Sequence, residues 1–341
     1  SSFAPITATT LTVDGQAIAL DATGTARIRA QVPGKLELVA SATDADGLSS
    51  TTHSTLRVRD PLDRAAPVAV LDPALHSARL SAPGEIRATV SDVNLDEWSL
   101  TLLPFAASDG DTATGAGSVL ARGSTTQFDS VLATLDTGRF ANGFYRLRLE
   151  ASDLAGRVTT SEALIEIAGA AKPGQFLRSE TDLSLSLDGV AIDLVRQYDS
   201  LAASNAGSFG PGWRLTLRDV GLQADVPPAD RDGTASAFRN GTRVYLTLPS
   251  GGRAGFTFRP QQHETPGLTY YTPAFVADDA SGWILSAVER PLTLAGNRLF
   301  DLATGLPYNP TLVATGAELV LTAPDGTAYE LDGARGVTAI V

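Results

Sequence analysis

Cysteine and methionine are both absent from the 341 residues of this chain. Without cysteine there can be no disulfide bond and no thiolate metal site, although this absence neither requires nor excludes export from the cell. Without methionine the protein lacks a common adaptable filler of irregular cores. Lysine is scarce as well, because only Lys35 and Lys172 carry an ammonium group and the other strongly basic side chains are all arginine.

Charge and hydropathy exclude further classes of partner. The formal net charge is −12 at pH 7, whereas a nucleic-acid partner needs Lys and Arg gathered into a patch, so we expect none. There is no apolar run of about 18 residues, so we expect no membrane insertion. We expect no signal peptide at the start, and the missing initiator methionine leads us to expect a segment of a longer protein. The hydrophobic content of 43% favours folded material, enough for two or three domains.

An internal repeat organises the first half of the chain. Residues 34–47 (GKLELVASATDADG) align without gaps on residues 143–156 (GFYRLRLEASDLAG), at an offset of 109 residues. Each copy contains an alternating strand, a turn rich in Asp and Gly, and a second alternating strand, which is typical of a β-sandwich. The pattern resembles bacterial immunoglobulin-like domains, whose last hairpin often reads Ala-x-Asp-x-x-Gly. The resemblance covers residues 4–168 and implies fold only.

Two polar junctions that contain proline divide the chain into three predicted regions. Residues 60–67 and 168–174 form these junctions, because proline cannot donate to a central ladder and such stretches lie between domains or at edges. The prediction is an immunoglobulin-like β-sandwich over 1–60 that is short enough to be truncated, a full-length sandwich over 65–168, and a third region over 175–341. Within the second sandwich, residues 107–117 lack apolar periodicity and are expected to form a mobile loop.

The third region is predicted to consist of antiparallel β-hairpins. Alternating strands flank three turn signals, at Asp188-Gly189, at 249–252 and at 324–326. No segment shows a 3.6-residue apolar period over three turns, so the fold class is predicted to be all-β. The last strand, residues 337–341, is apolar and has no predicted partner. Because folded proteins normally cover such an edge, we expect more sheet to follow it in the intact protein.

One segment of the third region has a distinctive motif. Arg196, Tyr198 and Ser200 alternate along a strand, and Phe209-Gly210-Pro211-Gly212-Trp213 follows. This arrangement resembles the opening motif of Rhs/YD-repeat proteins, the bacterial relatives of the teneurins. Residues 327–340 resemble one degenerate YD unit in which Leu331 replaces the second Tyr. The resemblance implies the start of a hollow β-shell that encloses a C-terminal toxin or another passenger.

The motif residues permit two interpretations. Arg196, Tyr198 and Ser200 share one face of a strand, so they could form a polar site. The favoured interpretation is structural, with Arg196 and Tyr198 packing against the loop that ends in Trp213, because no histidine or general base lies nearby in sequence. Gly210 and Gly212 are then expected to permit unusual backbone angles in a tight turn. No helix N-terminus follows them, which argues against a phosphate-binding loop.

Acidic pairs are the candidate metal ligands. Asp44 and Asp46 could supply alternate carboxylates to Ca²⁺, which prefers several oxygen ligands. A plain β-turn is the favoured alternative, because Asp and Gly dominate turns for backbone reasons. The clusters at 92–97 and 109–111 are further Ca²⁺ candidates. No other cofactor is expected.

Histidines and aromatic residues give no catalytic signal. His53, His76 and His263 lie one to each region, so a transition-metal site or a nucleophilic triad is not expected. Four aromatic residues could form a carbohydrate platform, although lining or plugging a shell is the favoured interpretation; they are Tyr270, Tyr271, Phe275 and Trp283.

The sequence as a whole predicts a non-enzymatic structural segment of a large bacterial protein, secreted or at the cell surface. Its immunoglobulin-like modules would serve as spacer, docking or plug elements. Its expected partners are the remainder of its own polypeptide shell and an enclosed C-terminal passenger, together with a secretion or cell-surface partner. Two alternatives stay open: an adhesin that binds glycan or protein through sandwich loops or aromatic residues, and a hydrolase whose paired carboxylates meet only in the fold.

Overall fold

The computed structural model describes the chain in eight stretches, which are residues 4–105, 117–187, 190–203, 206–207, 209–226, 236–312, 318–333 and 335–341. Within them the protein is all-β, as predicted, with strands in several sheets and no α-helix. Short 3-10 helices occur at Pro73–Leu75, Thr137–Arg139 and Ser200–Ala202. None of the described helices is long and apolar enough to cross a membrane. Residues 107–116 of the predicted loop and the Asp188-Gly189 turn lie outside the described residues.

The first region forms one antiparallel sheet. Its strands are β1 (Ile6–Val13), β2 (Gln16–Ile18), β3 (Gly34–Asp44) and β4 (Ser49–Val58), in the order β2-β1-β3-β4. Among the described residues up to position 60, no second sheet faces it, and Asp44 is the buried residue. The prediction was a sandwich over 1–60, whereas the described residues of this region form one sheet. The physical reason is visible in β4, whose sequence SSTTHSTLRV supplies almost no apolar surface for a partner layer.

Residues 68–167 form a two-sheet sandwich of the immunoglobulin-like type. Its strands are β5 (Val68–Leu71), β6 (Ala78–Leu80), β7 (Gly84–Ser91), β8 (Leu95–Pro104), β9 (Ser118–Gly123), β10 (Gln127–Leu135), β11 (Gly143–Asp153) and β12 (Val158–Ile167). One sheet has the order β10-β7-β5 and the other β6-β12-β11-β8-β9, with β6 parallel to β12.

Alternating apolar residues build the core between these two sheets. Ile86 and Val90 face inward from β7, Leu100 from β8, and Leu147 and Leu149 from β11, each with none of its surface exposed. The spacing of two residues is what places one set of side chains on one face of a strand. Burial of each such side chain contributes about 1.5–3 kcal/mol relative to leaving it exposed.

The third region is built from short strands in several small sheets. The strands are β13 (Leu177–Leu187), β14 (Val190–Asp199), β15 (Ala206–Gly207), β16 (Gly210–Pro211), β17 (Trp213–Leu215), β18 (Gln223–Ala224), β19 (Arg243–Thr247), β20 (Arg253–Phe258), β21 (Gln261–Thr265), β22 (Leu268–Thr272), β23 (Phe275–Ala277), β24 (Ile284–Ala287), β25 (Leu292–Ala295), β26 (Arg298–Asp301), β27 (Leu319–Thr322), β28 (Ala328–Asp332) and β29 (Gly336–Ile340). The sheets have the orders β13-β14-β17, β15-β16, β18-β19-β20-β23, β21-β22-β25-β26 and β24-β27-β28-β29.

The predicted strand pairings of the third region are confirmed. β13 pairs with β14, β19 with β20, and β27 with β28, all antiparallel. The final strand differs from its prediction, because β29 is paired along one side with β28 and only its other side is an edge in the described chain. A second apolar core lies among these sheets and contains fully buried residues from several of them, including Phe238, Phe256, Phe258, Leu246 and Leu331.

Candidate functional site

The predicted motif forms a packed cluster on β14 and β17. The two strands pair antiparallel with Tyr198 opposite Trp213, and their ring centroids lie 5.6 Å apart. Arg196 reaches across the loop, with its guanidinium carbon 5.4 Å from the ring centroid of Phe209 and 5.5 Å from that of Trp213. Phe176 also packs against Tyr198, with ring centroids 6.3 Å apart.

A carboxylate fixes the direction of the Arg196 side chain. Asp182, on β13, accepts hydrogen bonds from Arg196 Nε at 2.5 Å and from Nη2 at 2.7 Å, in the bidentate geometry that suits a guanidinium. These hydrogen bonds lower the pKa of Asp182 and raise that of Arg196. We call the six residues Phe176, Asp182, Arg196, Tyr198, Phe209 and Trp213 the aromatic latch.

The two glycines of the motif have different surroundings. Gly212 has φ +75°, and a Cβ built there would lie 2.7 Å from the Tyr198 ring and 3.1 Å from the Asp199 carbonyl oxygen. Its own carbonyl accepts a hydrogen bond from the Asp199 amide at 2.9 Å. Gly210 also has a positive φ, +102°, but a Cβ there would meet nothing within 4 Å. Gly212 is therefore required both by the backbone and by the close approach of the ring.

Ser200 lies beside the latch and binds backbone atoms. Its hydroxyl oxygen accepts a hydrogen bond from the Phe176 amide at 2.8 Å, and its own amide donates to the Phe176 carbonyl at 3.0 Å. Arg196 and Ser200 thus both have hydrogen-bond partners close by, although Ser200 lies in the 3-10 helix that follows β14 and not on the strand itself. Sequence reasoning missed Phe176 and Asp182. The available signals were an aromatic residue just after the junction that contains Pro173 and an aspartate on the paired strand.

A second cluster joins the sandwich to the third region. Glu166, on β12, accepts hydrogen bonds from Arg243 Nη2 at 2.8 Å and from the Tyr245 hydroxyl at 2.7 Å. Arg79 adds an ion pair to Glu166 at 3.2 Å, and Arg243 also binds Asp278. We call these five residues the Glu166 junction. They include groups 77 or more residues apart in sequence, so no local pattern predicts them.

The electrostatics of the Glu166 junction follow from its burial. Burial raises the pKa of the Tyr245 hydroxyl, and the neighbouring Glu166 carboxylate raises it further. Burial alone would lower the pKa of Arg243, but hydrogen bonds to Asp278 and Glu166 outweigh it and raise that pKa. Tyr245 is therefore a neutral hydrogen-bond donor and Arg243 a permanent cation. The Tyr245 ring also packs edge-on against Phe144 of the sandwich, with centroids 5.4 Å apart.

The candidate ligand Asp44 caps a turn of the repeat. Its Oδ1 accepts hydrogen bonds from the amides of Asp46 and Leu48, both at 3.0 Å. Asp153, the equivalent residue 109 positions later, accepts from the amides of the two equivalent residues at 2.9 Å. Asp46 corresponds to Ala155, so the turn forms without a carboxylate at that position. Asp44 and Asp46 therefore differ in role, because only the Asp44 carboxylate accepts the backbone hydrogen bonds that form the turn.

The structure instead brings three other carboxylates together. Asp63, Asp92 and Asp153 each place an oxygen within 4.8 Å of the other two. Arg157 lies among them, with Nε 2.6 Å from Asp153 and Nη2 2.9 Å from Asp63. Burial would raise the pKa of Asp153, but the hydrogen bonds and charge of Arg157 hold it below its usual value. The guanidinium therefore supplies positive charge where a metal ion otherwise would.

The remainder of the acidic segment 92–97 serves another contact. Asp96 forms ion pairs with Lys35 Nζ and Arg57 Nε, each at 2.5 Å, and so links the first sheet to the sandwich. The candidate at 109–111 lies outside the described residues. Sequence reasoning identified Asp92 but not Asp63 as its neighbour, because Asp63 belongs to the predicted junction 60–67.

The aromatic residues proposed as a carbohydrate platform are divided between two environments. Tyr271, Phe275 and Trp283 pack against the apolar core of the third region. Tyr270 stacks on His263, with ring centroids 5.0 Å apart. His53 lies 3.2 Å from Glu37 in the first sheet, far along the chain from His263. These residues therefore form no continuous aromatic row.

Comparisons with known proteins identify one segment of the chain. Residues 171–238, which include the whole aromatic latch, match the family described as a domain of unknown function, DUF6531. No curated protein matches the chain. Solved structures give remote similarities only.

Three of these structures show how remote the similarity is. The fibronectin(III)-like modules of Clostridium thermocellum CbhA are 17% identical, with 50% of this chain and 82% of that chain covered, at a TM-score of 0.23. The human Desmocollin-1 ectodomain is 11% identical, with coverages of 86% and 63%, at 0.18. Protocadherin Gamma B2 extracellular cadherin domains 1-5 are 14% identical, with coverages of 98% and 72%, also at 0.18. Scores this low support no conclusion about function.

Proposed function

We propose that this chain is a non-enzymatic structural segment of a large secreted or surface-associated protein of the Rhs/YD-repeat type. In this proposal the immunoglobulin-like sandwich is a spacer, docking or plug element, and the third region opens a β-shell around a C-terminal passenger. The observation that carries the proposal is the aromatic latch. Its guanidinium, carboxylate and rings bind one another, which fits a motif that closes a hairpin better than one that binds a substrate.

The Glu166 junction gives independent support for a structural role. Glu166, Arg243 and Tyr245 are buried or nearly so, and they hold the sandwich against β19. A buried carboxylate with two arginines and a tyrosine is strongly destabilising when one partner is lost, so it fixes one arrangement of the two regions. A spacer or plug at the mouth of a shell needs such a fixed arrangement.

The adhesin alternative receives less support. A glycan platform needs exposed aromatic faces, whereas Tyr271, Phe275 and Trp283 are packed against the core. Tyr270 is the remaining candidate of that group. A glycan array in which binding depends on Tyr270 would favour the adhesin over the structural proposal.

Protease protection of the passenger in the full-length protein tests the proposal. We expect the C-terminal passenger to resist trypsin in the native protein and to become cleavable when Gly212→Ala disrupts the latch. Gly210→Ala is the matched control, because its Cβ would meet no atom within 4 Å. If trypsin cleaves the passenger rapidly in the wild type and in both variants, nothing encloses it.

A further inference from the structure

The first sheet meets the sandwich through two cations that share one carboxylate. Lys35 on β3 and Arg57 on β4 are paired directly opposite one another in the register of the first sheet. Like charges in that position repel, so the pair is unfavourable by itself. Asp96 on β8 of the sandwich offsets the repulsion, because its carboxylate lies 2.5 Å from Lys35 Nζ and 2.5 Å from Arg57 Nε. We call these three residues the Asp96 clamp.

The two cations of the clamp are exposed to solvent. The side chains of Lys35 and Arg57 are 38% and 52% exposed, whereas that of Asp96 is 5% exposed. Electrostatic attraction between exposed charges falls off over about 10 Å at about 0.1 M salt and over about 3 Å at about 1 M. Added salt therefore weakens the attraction of the two cations for Asp96.

The apolar core of the sandwich does not extend into the first region. Among the described residues, the members of this core begin at Ala69. A cavity of about 310 Å³ lies beside the clamp and is lined by Pro33 and Gly34 from the first region and by Asn94 and Leu95 from the sandwich. Interfaces between domains permit relative motion unless they are large and hydrophobic. The position of the first sheet on the sandwich therefore depends on polar contacts.

The linker that follows the first sheet is bound to the sandwich separately. The Asp63 carboxylate accepts a hydrogen bond from Asn94 Nδ2 at 2.9 Å, and the Asp63 carbonyl oxygen accepts one from Arg157 Nη1 at 2.9 Å. Arg157 is held in turn by Asp153, whose side chain is fully buried, at 2.6 Å. We call Asp63, Asn94 and Arg157 the Asp63 anchor. The side chains of Asp63 and Arg157 are less exposed than the cations of the clamp, so salt weakens the anchor less.

We propose that the first region is an arm hinged at residues 59–62, which the Asp96 clamp holds against the sandwich and which salt releases. These residues lie between the end of β4 and the Asp63 anchor, and Leu62 among them is 85% exposed. The anchor keeps the base of the arm in place, so only the first sheet swings. Opening hydrates Asp96 together with both cations, so it leaves no charge of the clamp buried and unpaired.

Distance measurement by double electron–electron resonance tests the hinge in the whole chain. The sequence has no cysteine, so spin labels attached at Thr52→Cys on β4 and Thr134→Cys on β10 report the position of the first sheet relative to the sandwich. Both positions are exposed. We expect one narrow distance distribution at about 0.1 M salt and an additional population at a different distance at about 1 M. A narrow distribution that salt does not change, or a broad one at both concentrations, overturns the proposal.

Variants assign the motion to the clamp. Asp96→Asn removes the charge of the carboxylate, so the ratio of open to closed molecules at about 0.1 M salt should rise at least ~10-fold. The double variant Lys35→Gln with Arg57→Gln should have the same effect and leaves the sandwich sequence unchanged, so it serves even if Asp96→Asn fails to fold. Glu37→Gln is the control, because Glu37 pairs with His53 within the first sheet, and it should match the wild type. An open population in the control, or a closed distribution in the double variant, contradicts the proposal. Such a failure would leave the proposed structural role intact, since the aromatic latch and the Glu166 junction contain no residue of the first region.

Discussion

Replacing Gly212 by alanine should open the aromatic latch. The added methyl group would start 2.7 Å from the Tyr198 ring and 3.1 Å from the Asp199 carbonyl oxygen, both too close for an ordinary contact. Tyr198 cannot retreat freely, because Trp213 and Phe176 pack on it. The backbone is also in the left-handed region, at φ +75°. The substitution therefore combines backbone strain with overpacking.

The magnitude of this effect follows from the two contributions. A left-handed conformation costs a non-glycine residue about 1–2 kcal/mol. Overpacking of a filled space costs about 1–3 kcal/mol, so Gly212→Ala should lower the free energy of opening by about 2–5 kcal/mol. Gly210→Ala meets only the backbone strain, because a Cβ at Gly210 has no neighbour within 4 Å.

Native-state hydrogen exchange of the Asp199 amide measures this difference directly. That amide donates to the Gly212 carbonyl at 2.9 Å, so its protection reports opening of the latch rather than of the sandwich. We expect protection to fall strongly in Gly212→Ala and modestly in Gly210→Ala. If the two variants lose equal protection, the contact with Tyr198 contributes nothing and the reasoning is refuted.

Three further predictions concern other contacts. Tyr245→Phe removes the hydroxyl that donates to buried Glu166 at 2.7 Å, and urea denaturation should detect a loss of about 1.5–3 kcal/mol, typical of a hydrogen bond to a charged group. Asp153 has a lowered pKa because the hydrogen bonds and charge of Arg157 outweigh burial. Its contribution to stability is therefore complete above the unfolded pKa of about 3.9 and is lost as the pH falls through the folded value; Asp153→Asn should flatten the decline in melting temperature below about pH 4. Arg196→Lys keeps the charge but not the bidentate pair, and Arg196→Gln loses both, so the melting temperature should fall in the order wild type, lysine, glutamine.

Each of these predictions has an outcome that contradicts it. An unchanged urea midpoint in Tyr245→Phe would mean that Arg79 and Arg243 satisfy Glu166 without the hydroxyl. An acid-unfolding profile that is identical in wild type and Asp153→Asn would mean that Arg157 does not hold that carboxylate. Equal melting temperatures for both Arg196 variants and the wild type would mean that the guanidinium does not stabilise the latch.

The strands and their turns could be predicted because their signals are local. Alternation of apolar residues identifies the sandwich core. In the repeated turns, the carboxylates of Asp44 and Asp153 accept hydrogen bonds from equivalent backbone amides. Arg196, Tyr198 and Trp213 come together because the hairpin and its short loop bring them there. These are contacts whose partners lie within one supersecondary unit.

The remaining features depend on contacts between distant parts of the chain. Glu166 meets Arg243 across 77 residues, and Arg157 meets Asp63 across 94. Charged residues are rarely buried unless they are paired. Because sequence spacing does not reveal a partner this far away, each residue by itself would be predicted to be exposed. The single sheet of the first region could not be predicted for a related reason. The alternation of β3 predicts a buried face, but only the facing layer decides whether that face is covered.

Cryo-electron microscopy of the full-length protein tests the central claim most directly. The account predicts a hollow β-shell in which the third region of this chain forms the first strands and the immunoglobulin-like sandwich sits at the opening, held by the Glu166 junction. A molecule without a closed shell, with the sandwich and the third region as separate modules along an extended chain, would contradict it.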